Sequence, residues 1–258
     1  GDRLLVVNTP DGYLRVFDIA SEPTPVALAD IPVGLEPVSV SCPSDSEAWV
    51  VKWISDDVSI VNLNTMHVRA TLRVGDEPAD VVFANGKAYV SVSQEDVVKV
   101  YDPGTLAQVG TIAVNGRNPR ALARTVDGTQ VYVASFFGGN KATVLSPAEV
   151  PLDSMPEDPE MPMDGGLPAA PNVGLIVNRI GAGWYDMYGT LWSSKVPYNI
   201  HDADVSEIST STDLVTRTFG GMSSTNFGLA VAPNNSRIGG YIWGPDVTGT
   251  LQGGGGVG

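Results

Sequence analysis

The chain has 258 residues, with 15 basic against 29 acidic side chains and a formal net charge of −14. That balance argues against a nucleic-acid partner, whose phosphates need clustered Lys and Arg, and against anionic membrane surfaces. One cysteine, Cys42, excludes an internal disulfide framework and any multi-cysteine metal site, and no apolar run reaches the roughly 18–20 residues of a membrane-crossing helix.

Gly and Pro, 29 and 19 residues, make up nearly a fifth of the chain, a density suited to tight turns rather than long helices. Strand-like residues begin at Leu4 with no charged-then-apolar leader before them, so any secretion signal is expected to have been removed. Gly34, Gly75 and Gly116 are spaced 41 apart, as are Pro37, Pro78 and Pro119. A β-rich sequence with a period near forty residues predicts propeller blades, each a small four-stranded sheet.

Blade one supplies Gly12–Asp18 as a third strand. Blade two opens at Glu36-Pro37-Val38-Ser39-Val40, blade three at Glu77-Pro78-Ala79-Asp80-Val81, and blade four at Asn118-Pro119-Arg120-Ala121-Leu122. Proline is tolerated at the first residue of a strand, where its missing N–H precedes the ladder. Polar turns (Pro43-Ser44-Asp45, Ala84-Asn85-Gly86, Val126-Asp127-Gly128) lead into second strands carrying Trp49, Tyr89 and Tyr132, aromatics expected to wedge between neighbouring sheets. Third strands run over Asp57–Val61 and Asp96–Tyr101, fourth strands over Val68–Val74 and Gln108–Val114. The short links Lys52–Asp56 and Ser93–Glu95 lie on one rim, a natural place for function. The acid pairs Asp56-Asp57 and Glu95-Asp96 recur at equivalent positions, which points to a turn and strand-start role rather than a catalytic pair.

The repeated pattern Pro-x-x-(Val/Ala/Leu), Tyr-Val-(Ser/Ala), Asp-x-Val-x-(Ile/Val)-(Val/Tyr) resembles the YVTN repeats of bacterial and archaeal β-propellers, well over residues 1–145 and loosely over 204–252. The resemblance implies a propeller of the kind found in surface-layer, cell-envelope or periplasmic binding proteins, some of them beside or fused to c-type cytochromes. It brings no catalytic residue to this chain.

The repeat breaks after Ala142–Leu145. Pro147–Pro171 is too proline-rich for a strand or helix and predicts an extended loop. Its Met155, Met161 and Met163 lie among Glu157, Asp158, Glu160 and Asp164, a solvated acidic loop whose methionines cover apolar surface or, alternatively, attract Cu(I) or Ca²⁺. Gly174–Arg179 and Trp184–Trp192 predict an added hairpin, so 148–200 is expected to be an insertion in blade four. Repeat character returns with Asp204–Ile208 as a third strand and Leu214–Phe219 as a fourth; blade five starts at Asn226–Val231 and continues through Ile238–Trp243. The glycine-rich stretch 253–258 is expected to be a flexible tail. The propeller thus spans 1–252 with about four and a half to five blades, where closed propellers commonly have four to eight. The chain is expected to be part of a longer protein or of a propeller completed by other material.

His67 and His201 are the only histidines, and no Cys-x-x-Cys-His occurs, so haem ligation and copper clusters are excluded and no cofactor is expected beyond a candidate Ca²⁺. That candidate rests on His201, Asp202 and Asp204, against the alternative of a turn in which Asp202 bonds its own backbone. The aromatics Trp184, Tyr185, Tyr188, Trp192 and Tyr198 are either a partner-binding patch or the hairpin's own small core. His67 is expected on the surface and Cys42, followed by Pro43, in a small buried apolar role. No nucleophile elbow, P-loop or dinucleotide fingerprint is present. The functional expectation is a non-enzymatic extracytoplasmic module (periplasmic, secreted or cell-surface) binding a protein or envelope partner through one propeller face and the insertion. The alternatives are a redox-associated propeller docking a cytochrome or other electron carrier, and a Ca²⁺-dependent propeller enzyme of lactonase or lyase type.

Overall fold

The computed structural model describes residues 2–20, 24–138, 141–150, 174–198, 201–222, 225–235, 237–243 and 255–257. The chain forms two compact units, one from Gly1–Gly138 with His201–Gly258, the other Gly139–Ile200. Among the described residues regular structure is strand throughout, save 3₁₀ turns at Ser93–Glu95 and Ser193–Lys195.

The first unit is a series of antiparallel sheets in chain order. The first has three strands, β1 (Arg3–Asn8), β2 (Tyr13–Asp18) and β3 (Val26–Pro32). The second has β4 (Pro37–Ser44), β5 (Glu47–Lys52), β6 (Asp57–Asn62) and β7 (His67–Arg73); the third has β8 (Pro78–Ala84), β9 (Lys87–Val92), β10 (Val97–Tyr101) and β11 (Gln108–Ala113). β3 precedes β7 by the 41-residue period, so β1 and β2 occupy the second and third places of the repeat. Among the described residues the first sheet holds no strand in the first place. No described sheet closes on itself.

The fourth sheet begins with β12 (Arg117–Arg124) and β13 (Gln130–Phe137). The second unit then intervenes, with β14 (Ala142–Leu145), β15 (Leu175–Ile180) and β16 (Gly183–Tyr185). β17 (Val205–Ser209) returns to pair with β13 and is followed by β18 (Leu214–Phe219), completing four strands as the repeat character of Asp204–Phe219 implies. β19 (Thr225–Val231), β20 (Ile238–Trp243) and β21 (Gly255–Val257) form a further ribbon, joined to β13 through the single pair Phe137↔Thr225. Within the stretch expected as a flexible tail, Gly255–Val257 pairs as β21 with β20; ladder hydrogen bonds need backbone only, so side-chain-free glycine can supply them.

The first strands lie side by side, β4 against β8, β8 against β12 and β12 against β19. The second, third and fourth sheets are therefore buried on both faces near their middles, and strand alternation divides their residues between two cores, whereas the first sheet contributes to one core only. In β5, Ala48 and Val50 pack toward the first sheet with Leu14 and Val16, whereas Trp49 and Val51 pack toward the third with Val81 and Val90. In β9, Tyr89 faces the fourth sheet with Val131 and Ile208, and in β13 Tyr132 faces β19 and β20. The recurring aromatic is thus the wedge between consecutive sheets. Burial, then Glu95, pushes the Tyr101 hydroxyl up to about 12; burial, then Glu207, does the same for Tyr132. Burial, then the hydrogen bond to Asp213, raises Tyr89 as well. A free tyrosine ionises near 10, so the stability these groups contribute is fully present below about pH 10 and is lost as pH rises through about 12. Ultraviolet titration at about pH 11 should find all three protonated in the native protein and ionised in denaturant.

The periodic acids and glycines join one sheet to the next. Asp56 and Asp96 take left-handed backbone angles, and their Oδ1 atoms accept the N–H of Glu77 (3.3 Å) and Asn118 (2.7 Å), at the start of the next first strand. Gly34 and Gly75 sit at φ +116° and +124°, a region open to glycine. At Gly116 an added Cβ would collide with Ser135 Oγ and the Ala203 carbonyl.

In the second unit, β14, β15 and β16 form their own three-stranded sheet over Leu145, Val150, Val177, Trp184, Trp192 and Val196. Ala142–Leu145, which reads in sequence as the end of the repeat, pairs with β15 here. The methionine–acid segment 155–164 lies outside the described residues.

Candidate functional site

Where the first strands of the first unit converge they line a pocket of about 500 Å³. One column of the repeat, Ser39, Asp80 and Ala121, crosses β4, β8 and β12. Ser39 donates its hydroxyl to Asp80 Oδ1 at 2.5 Å, the Val81 N–H donates to the same oxygen at 2.8 Å, and the Leu122 N–H donates to Oδ2 at 2.8 Å. One carboxylate therefore ties three sheets together. Burial raises its pKa above the usual carboxylate value, and these three hydrogen bonds pull partly against that shift.

The neighbouring column reads Val38, Ala79, Arg120. The Arg120 guanidinium lies 3.7 Å from the Phe136 ring centre and 4.4 Å from that of Trp53, and its Nε donates to Asn118 Oδ1 at 2.9 Å. Phe136 meets Phe227 edge-on at 5.2 Å and Phe137 at 4.9 Å. Burial lowers the Arg120 pKa and Glu77 opposes that, while the group stays cationic as arginine does in proteins. Stacking and the Asn118 bond fix the side chain, yet its terminal nitrogens make no hydrogen bond or ion pair among the described residues. Around this centre Phe137 and Phe227 are about half exposed, and Leu35 and Ile54 line an adjoining depression that shares Glu36.

Sequence reasoning pointed to this rim through the link Lys52–Asp56, which holds Trp53 and Ile54, but singled out neither Arg120 nor Phe136. The available signal was a departure from the repeat, a charge in a column otherwise filled by Val38 and Ala79. The rings stacking on that charge come from distant sequence positions.

The aromatics of the second unit divide. Trp184 and Trp192 are buried, the latter donating Nε1–H to Asp186 Oδ2 at 3.0 Å, and so serve the hairpin's core. Tyr185 is half-buried; Tyr188 and Tyr198 are exposed alongside Met187 and Leu191, with Tyr198 Oη 3.1 Å from Thr143 Oγ1. Asp186 Oδ1 accepts the N–H groups of Tyr188 and Thr190, fixing the turn that presents Met187 and Tyr188.

His201 is exposed, Asp202 half-buried and Asp204 buried. Among the described residues no three His, Cys, Asp or Glu side chains come together as a metal-holding group. Asp204 Oδ2 accepts the Met222 N–H at 2.6 Å, the same service to the following strand that Asp56 and Asp96 perform. His67 is exposed, as expected. Cys42, expected to be buried, is exposed: a register shift between Ser41 and Ser44 lifts it out of the alternation that would have turned it inward. No described helix is long and apolar enough to cross a membrane.

No family model matches the chain, and no curated protein sequence matches it. Solved structures do. The chain is similar to Kuenenia stuttgartiensis hydrazine synthase at 12% identity and a TM-score of 0.52, over 98% of this chain and 92% of that one. It is also similar to a functionally unknown protein from Desulfotomaculum acetoxidans at 12% identity and a TM-score of 0.59, over 99% of this chain and 66% of that one. At such identity the likeness concerns the fold alone.

Proposed function

We propose that the first unit is a β-propeller, or the greater part of one, serving outside the cytoplasm as a non-enzymatic binding module. The side-by-side first strands, the wedge aromatics and the shared period support the fold. One observation carries the function: an immobilised arginine stacked between Trp53 and Phe136 at a pocket mouth bordered by exposed apolar side chains. Trp, Tyr and Arg in such settings dominate binding energy. The second unit replaces the link between β13 and β17, the counterpart of the links holding Trp53 and Ser93–Glu95, and adds exposed Met187, Tyr188 and Leu191. This reading places the partner, a protein or envelope component, on that face and on the insertion.

The test is capture of the partner from an envelope extract of the source cells, with wild type, Trp53→Ala, Arg120→Ala and a chain lacking 139–200. Each change should weaken capture at least about tenfold, the scale of a hot-spot residue, while far-ultraviolet circular dichroism keeps its strand signature. Undiminished capture by all three variants would refute the reading.

The net charge of −14 favours a second reading, docking of a basic electron carrier. Its mark is association that weakens steeply as salt is raised.

A further inference from the structure

We infer that the pocket among the first strands takes a small zwitterion of the α-amino acid class with an apolar side chain. The inference rests on the proposed binding role of the same face and specifies its ligand chemistry. Among the described residues, Arg120 and Glu36 line this pocket without an ion pair between them, and the third ionisable group of the lining, Asp80, has its two oxygens taken up by Ser39, Val81 and Leu122. Arg120 presents terminal nitrogens that its Asn118 bond leaves unused, and Glu36, exposed at the start of β4, has a carboxylate with no hydrogen bond or ion pair among the described residues. The lining also includes the apolar side chains of Val38, Ala79, Ala121 and Leu229, beside the hydrogen-bonded pair Ser39 and Asp80.

The chemistry narrows the ligand from both sides. A purely anionic ligand would suit Arg120 but meet Glu36 within a chain of net charge −14. A purely cationic one would suit Glu36 but face a guanidinium that stacking holds in place. A molecule carrying both charges answers each. Its carboxylate accepts from the open edge of the planar fork, a geometry arginine favours, and its ammonium donates to Glu36. A pocket of about 500 Å³ lies within the usual size of small-molecule sites. The aliphatic side chain would then lie against Val38, Ala79, Ala121 and Leu229.

Isothermal titration of the intact chain with three matched probes tests this: L-leucine, 4-methylpentanoate (leucine without its ammonium) and 3-methylbutylamine (leucine without its carboxylate). Leucine should bind, and each truncated probe should bind at least about tenfold more weakly, as expected for one lost charge-assisted hydrogen bond. Glu36→Gln should weaken leucine at least about tenfold and, by removing a like charge, should bind 4-methylpentanoate as tightly as wild type or more tightly. Arg120→Lys, which keeps the charge but loses the fork, should weaken both leucine and 4-methylpentanoate. The inference is overturned if a truncated probe matches leucine, if Glu36→Gln changes nothing, or if no probe gives heat up to about 10 mM. Failure here with rim-dependent capture intact sinks the ligand class alone; loss of rim dependence with leucine binding intact sinks the partner reading alone.

Discussion

Replacing Trp49 by Ala should lower the free energy of unfolding by about 3–5 kcal/mol, the cost of deleting a large aromatic from a close-packed core. Trp49 is fully buried between the second and third sheets, edge-on to Phe83 at 5.3 Å, with its indole N–H donating to Glu47 Oε1 at 2.8 Å. Truncation opens a cavity where two sheets meet, among neighbours that are mostly short and buried. The neighbours Val51, Val58 and Val81 are short, branched and fully or nearly fully buried. A urea titration should show the midpoint falling sharply, whereas His67→Ala on the exposed β7 should move the stability by no more than about 0.5 kcal/mol. Equal midpoints for Trp49→Ala and wild type would contradict the wedge assignment.

Asp80→Ala should cost at least about 3 kcal/mol, because a stranded buried donor costs roughly 1–3 kcal/mol and three donors lose their acceptor at once. Ser39, Val81 and Leu122 come from β4, β8 and β12, so the loss falls on the packing between sheets rather than within one. The same residue sets a pH dependence. Its native pKa is raised by burial, so the native protein keeps a proton that the unfolded chain has released once pH passes about 4. Stability from this group is therefore fully present below that value and is lost as pH rises through the native pKa. Urea midpoints measured across that window should fall with rising pH in wild type, and this component of the slope should vanish in Asp80→Ala. Parallel profiles would show that Asp80 does not titrate in the native state as its environment requires.

Both effects rest on residues that the sequence marks differently. Trp49 recurs with Tyr89 and Tyr132 at equivalent repeat positions, so its place between sheets is legible before any coordinates. Asp80 shares a column with Ser39 and Ala121, and nothing in that column announces a carboxylate bridging three sheets. The loss of the repeat after Leu145 is legible in the sequence, and the second compact unit spans Gly139–Ile200 where an insertion over 148–200 is expected. The destination of Ala142–Leu145 is not legible, because a short apolar strand pairs with whichever edge the fold brings beside it.

The division has a physical cause. Strand order, sheet boundaries, junction acids and wedge aromatics follow from local alternation and from a 41-residue spacing, both of which a linear sequence carries in full. The site does not. Arg120 acquires its character from Trp53, Phe136 and Phe227, and the pocket exists because first strands separated by whole repeats stand side by side. Only the packing of sheets, through contacts that no sequence period encodes, turns one departure from the repeat into an oriented cation at a pocket mouth.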